Sequence, residues 1–381
     1  MAYTNIDDPS AYFQTLTYTG NGSHPRNLTN DGNSDLQPDL VWLKKRNQAG
    51  TDHVLANSSI GWDAPKGAGY PWENGPFGGQ IASNSTGAES TPAATYGYVS
   101  AALTDGFTAE AGGSNGDSVN QNSKTFVAWQ WKANGGTTAS NSDGSVTSTV
   151  QANTDAGFSI VTFESASSGI FSVGHGLGVQ PAMIITKNRE GTSQWYVWHQ
   201  HLTGGTSNTS YLFSLNRTDG EASYANAWGA GVTSSVFGMQ SGNTATASND
   251  YIAYCFAEKQ GYSKFGIYTG TGNRDGAPFV YTGFQPAFIM VKKSSASGTG
   301  WAMFDNKRVI ANGDMHYLAS DRGDAESGTG FSHADPVDFV SNGFLVKNSD
   351  AWMNTGGASY VYMAFAQHPF VTSTGVPTTA R

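Results

Sequence analysis

Residues 37–45 read QPDLVWLKK, and closely similar strings recur at residues 180–187 (QPAMIITK) and 285–293 (QPAFIMVKK). Each string joins a Gln-Pro pair to a short apolar run and ends in lysine. A run of this length, bounded by proline and turn-forming residues, is typical of a buried β-strand. Because so specific a string rarely recurs by chance, the chain is predicted to contain three related units.

A second, aromatic run follows each string at a distance, and it also reads as a strand. A tryptophan run begins between the two strands in the later copies, at Trp195 and Trp301, whereas the first copy has His53 in that place. A repeat of roughly 100 residues is too long for a solenoid and suits tandem domains. The aromatic runs are TFVAWQW at 125–131, DYIAYCF at 250–256 and SYVYMAF at 359–365.

The composition favours strands over helices. The chain has 48 glycines in 381 residues, and only 13% of its residues are charged. No apolar period of 3.6 residues continues over about 12 residues, and clusters of Gly, Asn, Asp and Ser separate the runs. The sequence therefore predicts an all-β protein of three tandem β-sandwich units, of jelly-roll or concanavalin-like type.

The expected domains are three. They are residues 1–135 with a long aromatic loop, residues 136–262 after a polar linker, and residues 263–381 with a short C-terminal tail.

Charge and hydropathy argue against several classes of partner. The formal net charge is −9, and the basic residues are scattered, so nucleic acid is not expected as a partner. No signal peptide is recognisable, and no apolar run approaches the roughly 18 residues of a membrane-spanning helix, so no membrane insertion is expected. The single cysteine, Cys255, lies in an apolar run and is expected to be a buried free thiol.

Four aromatic residues fall in the glycine- and proline-rich insertion of the first unit and are the candidate binding residues. They either contact a ligand or attach the loop to the domain or to a neighbouring subunit, and the second interpretation is favoured. The four are Trp62, Tyr70, Trp72 and Phe77.

No catalytic motif, metal site or cofactor is predicted, and the protein is expected not to be an enzyme. His199 and His201 share one face of a strand but have no third ligand nearby, and the acidic stretch at 30–35 favours an Asx turn over a calcium loop. Asp305, Asp321 and Glu326 cannot be distinguished by sequence from solvated loop charges, so none is proposed as a paired carboxylate of a glycosidase.

Several strings resemble a poorly characterised repeat domain of structural proteins from marine and cyanobacterial tailed phages. The resemblance covers nearly the whole chain and is strongest from about residue 157 onward. The strings that carry it are YFQTLTYTGNG (12–22), YTGTGNRDG (268–276), FVYTGFQPAFIMVKK (279–293), WAMFDNK (301–307) and DFVSNGFLVK (338–347).

The resemblance implies a non-enzymatic virion protein, assembled in the host cytoplasm without a signal peptide. A tail fibre or appendage component that contacts the host surface is the expected function. The alternatives are a capsid surface knob or decoration protein and a carbohydrate-binding module protein. The expected partners are other virion proteins, further copies of the chain in a homo-oligomer, with a trimer favoured, and a host surface glycan or protein.

Overall fold

The computed structural model of the chain describes residues 3–62, 80–89, 96–113, 117–308, 316–326 and 336–378. Within these residues the chain forms antiparallel sheets and no α-helix, and its only helical turns are the 3₁₀ segments Pro9–Ala11 and Gly205–Ser207. No helix in the described part is long and apolar enough to cross a membrane. The all-β prediction is confirmed, and the strands form three repeats of β-sandwich type.

The first repeat has a four-stranded sheet in the order β1-β7-β3-β4 and a three-stranded sheet in the order β2-β6-β5. Its strands are β1 (Phe13–Thr19), β2 (Arg26–Leu28), β3 (Leu40–Lys45), β4 (Val54–Asn57), β5 (Tyr98–Ala102), β6 (Phe107–Glu110) and β7 (Thr125–Trp131).

The second repeat has an eight-stranded sheet in the order β15-β14-β13-β12-β17-β10-β9-β8 and the pair β11-β16. The stretch expected as a polar linker contains two of its strands, β8 and β9. The strands are β8 (Ala139–Asn141), β9 (Ser148–Asn153), β10 (Phe158–Glu164), β11 (Ile170–Gly174), β12 (Met183–Asn188), β13 (Tyr196–His199), β14 (Tyr211–Ser214), β15 (Ala222–Ser223), β16 (Val236–Gln240) and β17 (Asp250–Phe256).

The third repeat has a five-stranded sheet in the order β18-β25-β20-β21-β22 and a three-stranded sheet in the order β19-β24-β23. Its strands are β18 (Ser263–Thr269), β19 (Phe279–Tyr281), β20 (Phe284–Lys293), β21 (Trp301–Asp305), β22 (Leu318–Ala319), β23 (Val337–Val340), β24 (Gly343–Val346) and β25 (Ser359–Pro369).

The three large sheets share one internal order. In each repeat, the strand that opens the shared order (β1, β10 or β18) pairs with the last long strand, which in turn pairs with the strand of the recurring string, in the orders β1-β7-β3, β10-β17-β12 and β18-β25-β20. The register is shared as well, since Phe13 lies opposite Trp131, Phe158 opposite Phe256 and Ser263 opposite Phe365. This common register defines equivalent positions in the three repeats.

Side chains alternate between two faces along the last long strand of a repeat, and the two faces pack in different core clusters. In β7, Phe126 and Ala128 pack in a cluster confined to the first repeat, whereas Trp129 and Trp131 join a cluster shared by all three repeats. The strand β25 divides in the same way, with Tyr360 in a cluster of the third repeat. Because successive side chains of a strand point to opposite faces, these sheets are buried on both faces.

Three equivalent aromatic residues meet where the sheets converge. The rings of Trp131, Phe256 and Phe365 contact one another edge to face, with centroids 6.3, 6.0 and 5.6 Å apart. Mutual contact of three equivalent residues is what an approximate three-fold arrangement of the repeats produces. The chain is therefore a ring of three repeats with an aromatic centre, and the proposed domain boundaries stay a prediction because the repeats share this core.

Candidate functional site

Three seams join the repeats, and the lysine that ends the recurring apolar run bonds across two of them; we call Lys44, Lys187 and Lys292 the seam lysines. Lys187 donates to the Thr86 carbonyl at 3.1 Å and Lys292 to the Arg217 carbonyl at 3.2 Å, in each case in the preceding repeat. Lys44 is bonded within its own repeat. Burial lowers the pKa of each of these three ammonium groups to about 8.

A ring N–H forms the second element of every seam. The indole of Trp195 or Trp301, or the imidazole of His53, faces a backbone carbonyl of the neighbouring repeat. The three contacts, each of 3.0 Å, join Trp195 to Ala82, Trp301 to Ser214 and His53 to Ala319.

His53 replaces an indole in the seam between the third and first repeats, which we call the closing seam. Its Nδ1 accepts a hydrogen bond from Trp42 Nε1 at 2.9 Å, which leaves Nε2 to carry the proton and donate to the Ala319 carbonyl. Burial lowers the pKa of His53 well below its usual value. The neutral imidazole therefore serves as a substitute for the indole N–H.

In each seam, the backbone N–H of a glutamate donates to the backbone carbonyl of the residue two positions after the seam lysine. The arginine side chain at that place also pairs with the glutamate carboxylate in two of the seams, whereas Ser294 occupies the place in the third. The backbone bonds are Glu89 to Arg189 (2.7 Å), Glu221 to Ser294 (2.9 Å) and Glu326 to Arg46 (2.6 Å), and the ion pairs are Arg189–Glu89 and Arg46–Glu326.

The equivalent last residues of β4, β13 and β21 reach across to the neighbouring long strand. They differ in chemistry, yet each makes a hydrogen bond to the last long strand of a neighbouring repeat. Asn57 donates to the Tyr254 hydroxyl (3.2 Å), His199 bonds the Tyr362 carbonyl (3.2 Å) and Asp305 accepts from Trp129 Nε1 (2.9 Å).

The closing seam also contains a buried ion cluster. The Arg308 guanidinium is 0% exposed and pairs with Asp305 at 2.6 Å and with Glu326 at 3.0 Å. It also lies 5.6 Å from the centre of the Trp129 ring. The carboxylates that sequence alone left unresolved at 305 and 326 are therefore paired with Arg308, and Asp321 accepts a hydrogen bond from the Trp301 backbone N–H at 2.8 Å.

Of the four predicted loop rings, Trp62 is the one within the described residues. It is half-buried and packs against the core cluster of the first repeat. Tyr70, Trp72 and Phe77 lie outside the described residues.

The histidine pair on β13 and its following turn is engaged in hydrogen bonds. His199 uses Nε2 on the Tyr362 carbonyl and accepts from the His201 backbone N–H at Nδ1, 3.2 Å away. Burial lowers the pKa of His199 to about 3. Both ring nitrogens therefore have protein partners, which removes the basis for a metal ligand at this position.

The acidic stretch at 30–35 is bound to its own surroundings. The Asn30 side chain donates to the Leu36 carbonyl and accepts from Gln130, and Asp31 pairs with Lys307. These contacts support the turn interpretation of this stretch. The thiol of Cys255 is buried, as expected, and burial raises its pKa.

A polar depression of about 520 Å³ lies where the segments that lead into the three repeats come together. It is lined by residues 3–6, Tyr12, Asp155, Lys259 and Gln260. The N-terminal segment is held there by a hydrogen bond from the Thr4 hydroxyl to the Gln260 carbonyl at 2.8 Å. We call this feature the lead-in depression.

Beside the lead-in depression, the second repeat lacks a ring that the other two repeats have. By register, Tyr12, Gly157 and Tyr262 are equivalent, since each immediately precedes the paired residues at the start of β1, β10 and β18. Gly157 has φ +69°, and a Cβ there would lie 2.4 Å from the Ala257 carbonyl oxygen. A ring is therefore excluded at this position, which lies against the Lys259 side chain.

Sequence reasoning missed this depression. Alignment of the repeats shows one feature beside it, a glycine opposite two tyrosines. The neighbouring polar side chains come from separate parts of the chain, however, so their convergence required the folded structure.

No curated protein and no solved structure matches the chain. A family model described as "Domain of unknown function (DUF7483)" matches residues 8–369, which includes all three repeats. The chain belongs to this DUF7483 family.

Proposed function

We propose that the protein is a non-enzymatic structural component of a tailed-phage virion, placed in a tail fibre or appendage that contacts the host surface. The observation that carries the proposal is the closed ring of repeats, in which the buried charged groups are used to join one repeat to the next. The resemblance of the recurring strings to phage structural proteins supports it.

The chemistry of the seams also favours a structural function. The seam lysines, the Arg308 cluster and the buried histidines His53 and His199 point into contacts between strands, and each has protein partners. Catalytic acids and bases need access to a substrate. Groups locked in seams instead give a rigid body that keeps its shape outside a cell.

A capsid decoration protein is the second candidate, and the ring itself favours it. A single chain with approximate three-fold symmetry presents three similar faces, which suits a three-fold position in a lattice. A homo-oligomer, with a trimer favoured, remains part of the proposal for a fibre. A solution mass of 40.2 kDa, that of one chain, would instead mean that the protein is a monomer whose three repeats take the place of three subunits.

The test is cryo-electron microscopy of the intact particle with this chain traced in its density. A position in the distal tail, with loops directed outward, is the expected result. A position on the capsid lattice would replace the fibre proposal with the decoration proposal. Absence of the chain from purified particles would overturn both.

A further inference from the structure

We infer that the lead-in depression is a binding site for a neutral oligosaccharide. The inference rests on the proposed function, because a host-contacting virion part needs a ligand on the host surface. The depression has a volume of about 520 Å³, within the ~300–1,000 Å³ common for small-molecule sites.

The first argument is the set of unpaired polar groups. The side chains of Asn5, Tyr12, Asp155, Lys259 and Gln260 line or edge the depression, and within the described residues none has a hydrogen bond or ion pair. The seams show the opposite pattern, since their polar side chains are bonded. Asn5, Asp155 and Gln260 are exposed and Tyr12 and Lys259 are half-buried, so all five side chains are accessible to a ligand from solvent.

The second argument is the chemistry of these groups. A carboxylate accepts hydrogen bonds, an ammonium donates them, and amides and a phenol do both. Sugar hydroxyls also both donate and accept, so they can satisfy such a mixed set. One acidic and one basic group leave the site without net charge, which favours a neutral saccharide over an acidic one.

The third argument is the aromatic surface. Tyr12 packs edge-on against the buried ring of Tyr262, with centroids 6.0 Å apart, so its orientation is fixed. Burial, and to a lesser extent the negative charge of Asp155, raises the pKa of Tyr12. A ring held rigidly beside hydrogen-bonding groups offers an apolar face for the C–H side of a pyranose at low entropic cost.

The experiment uses the full chain and an array of immobilised neutral and acidic bacterial oligosaccharides, followed by titration of the strongest neutral probe in solution. We expect binding to neutral probes. We expect Tyr12→Ala and Asp155→Ala each to weaken it about tenfold, the effect of losing one good stacking or hydrogen-bonded contact. Tyr12→Phe should retain most of the binding, because the ring remains.

The matched control is Phe279→Ala, which removes a ring that is 50% exposed on the third repeat, and it should bind as the wild type does. Asp155 is exposed, so its variant remains informative if Tyr12→Ala fails to fold. Binding to no neutral probe, or binding that both lead-in variants leave unchanged, would overturn the inference.

The outcomes separate this inference from the proposed function. Saccharide binding by a chain that is absent from the particle would overturn the virion proposal alone. A chain in the particle that binds no neutral saccharide would overturn the site alone.

Discussion

The closing seam and the seam between the second and third repeats contain equivalent hydrogen bonds that are donated by different side chains. At one equivalent position, Trp301 donates to Ser214 while His53 donates to Ala319, both at 3.0 Å. Only the closing seam contains the buried cluster around Arg308. The carbonyl acceptor is a backbone group in each case, so what the seam requires is an N–H in the right place rather than a particular residue.

Removal of one charge should destabilise the protein more in the closing seam than in the seam between the second and third repeats. Arg308→Ala leaves the carboxylate of Asp305 buried without its cation, and we expect a loss of about 3–5 kcal/mol in the free energy of unfolding. Chemical denaturation measures it. Arg217→Ala is the control, because its ion pair with Asp219 is exposed and worth at most about 1 kcal/mol. An equal loss in the two variants would contradict the structural role of the cluster.

Removal of one indole N–H tests whether the two tryptophan seams contribute equally to stability. Trp301→Phe and Trp195→Phe keep an aromatic ring but leave a buried carbonyl without its donor, so each is expected to cost about 1–3 kcal/mol. Similar losses in the two variants would agree with equivalent seams. A neutral effect in both would show that water or another group replaces the donor.

The buried histidines should make the ring sensitive to acid. The pKa of folded His199 is about 3, whereas an unfolded histidine titrates near 6.5, so the unfolded state binds more protons between these values. Stability is therefore expected to fall as the pH drops below 6.5, by at most about 1.4 kcal/mol per pH unit for this group.

His199→Asn introduces the residue that the first repeat has at the equivalent position, and it should make the slope below pH 6.5 shallower. Unfolding curves at pH 7.0, 6.0 and 5.0 measure this slope. An unchanged slope would assign the acid sensitivity to other groups, such as His53.

The seam lysines should produce a smaller change in the free energy of unfolding at alkaline pH. Each has a folded pKa of about 8 against 10.5 for a free lysine, so the unfolded state holds more protons between these values and stability should rise with pH there. Lys187→Met should reduce the slope of the unfolding free energy between pH 8 and 9.5. The exposed Lys264 serves as the control, and a slope that responds equally to Lys264→Met would contradict the assignment.

Sequence alone determined the strands, the three-fold recurrence and the burial of Cys255. These follow from local patterns, because the two-residue period of a strand and the turn residues between strands can be read without knowledge of distant contacts. The recurring strings at 37–45, 180–187 and 285–293 became β3, β12 and β20, the same place in three similar sheets.

Only the tertiary structure decided how the repeats join. Lysine at the end of an apolar run is usually solvated. The residues next to Lys292 in sequence do not indicate its hydrogen bond to the Arg217 carbonyl. The bond from Trp129 to Asp305 spans 176 residues of sequence. The lead-in depression likewise needed the convergence of Tyr12, Asp155 and Lys259, because the closure of a ring is a property of long-range packing that short-range sequence patterns do not contain.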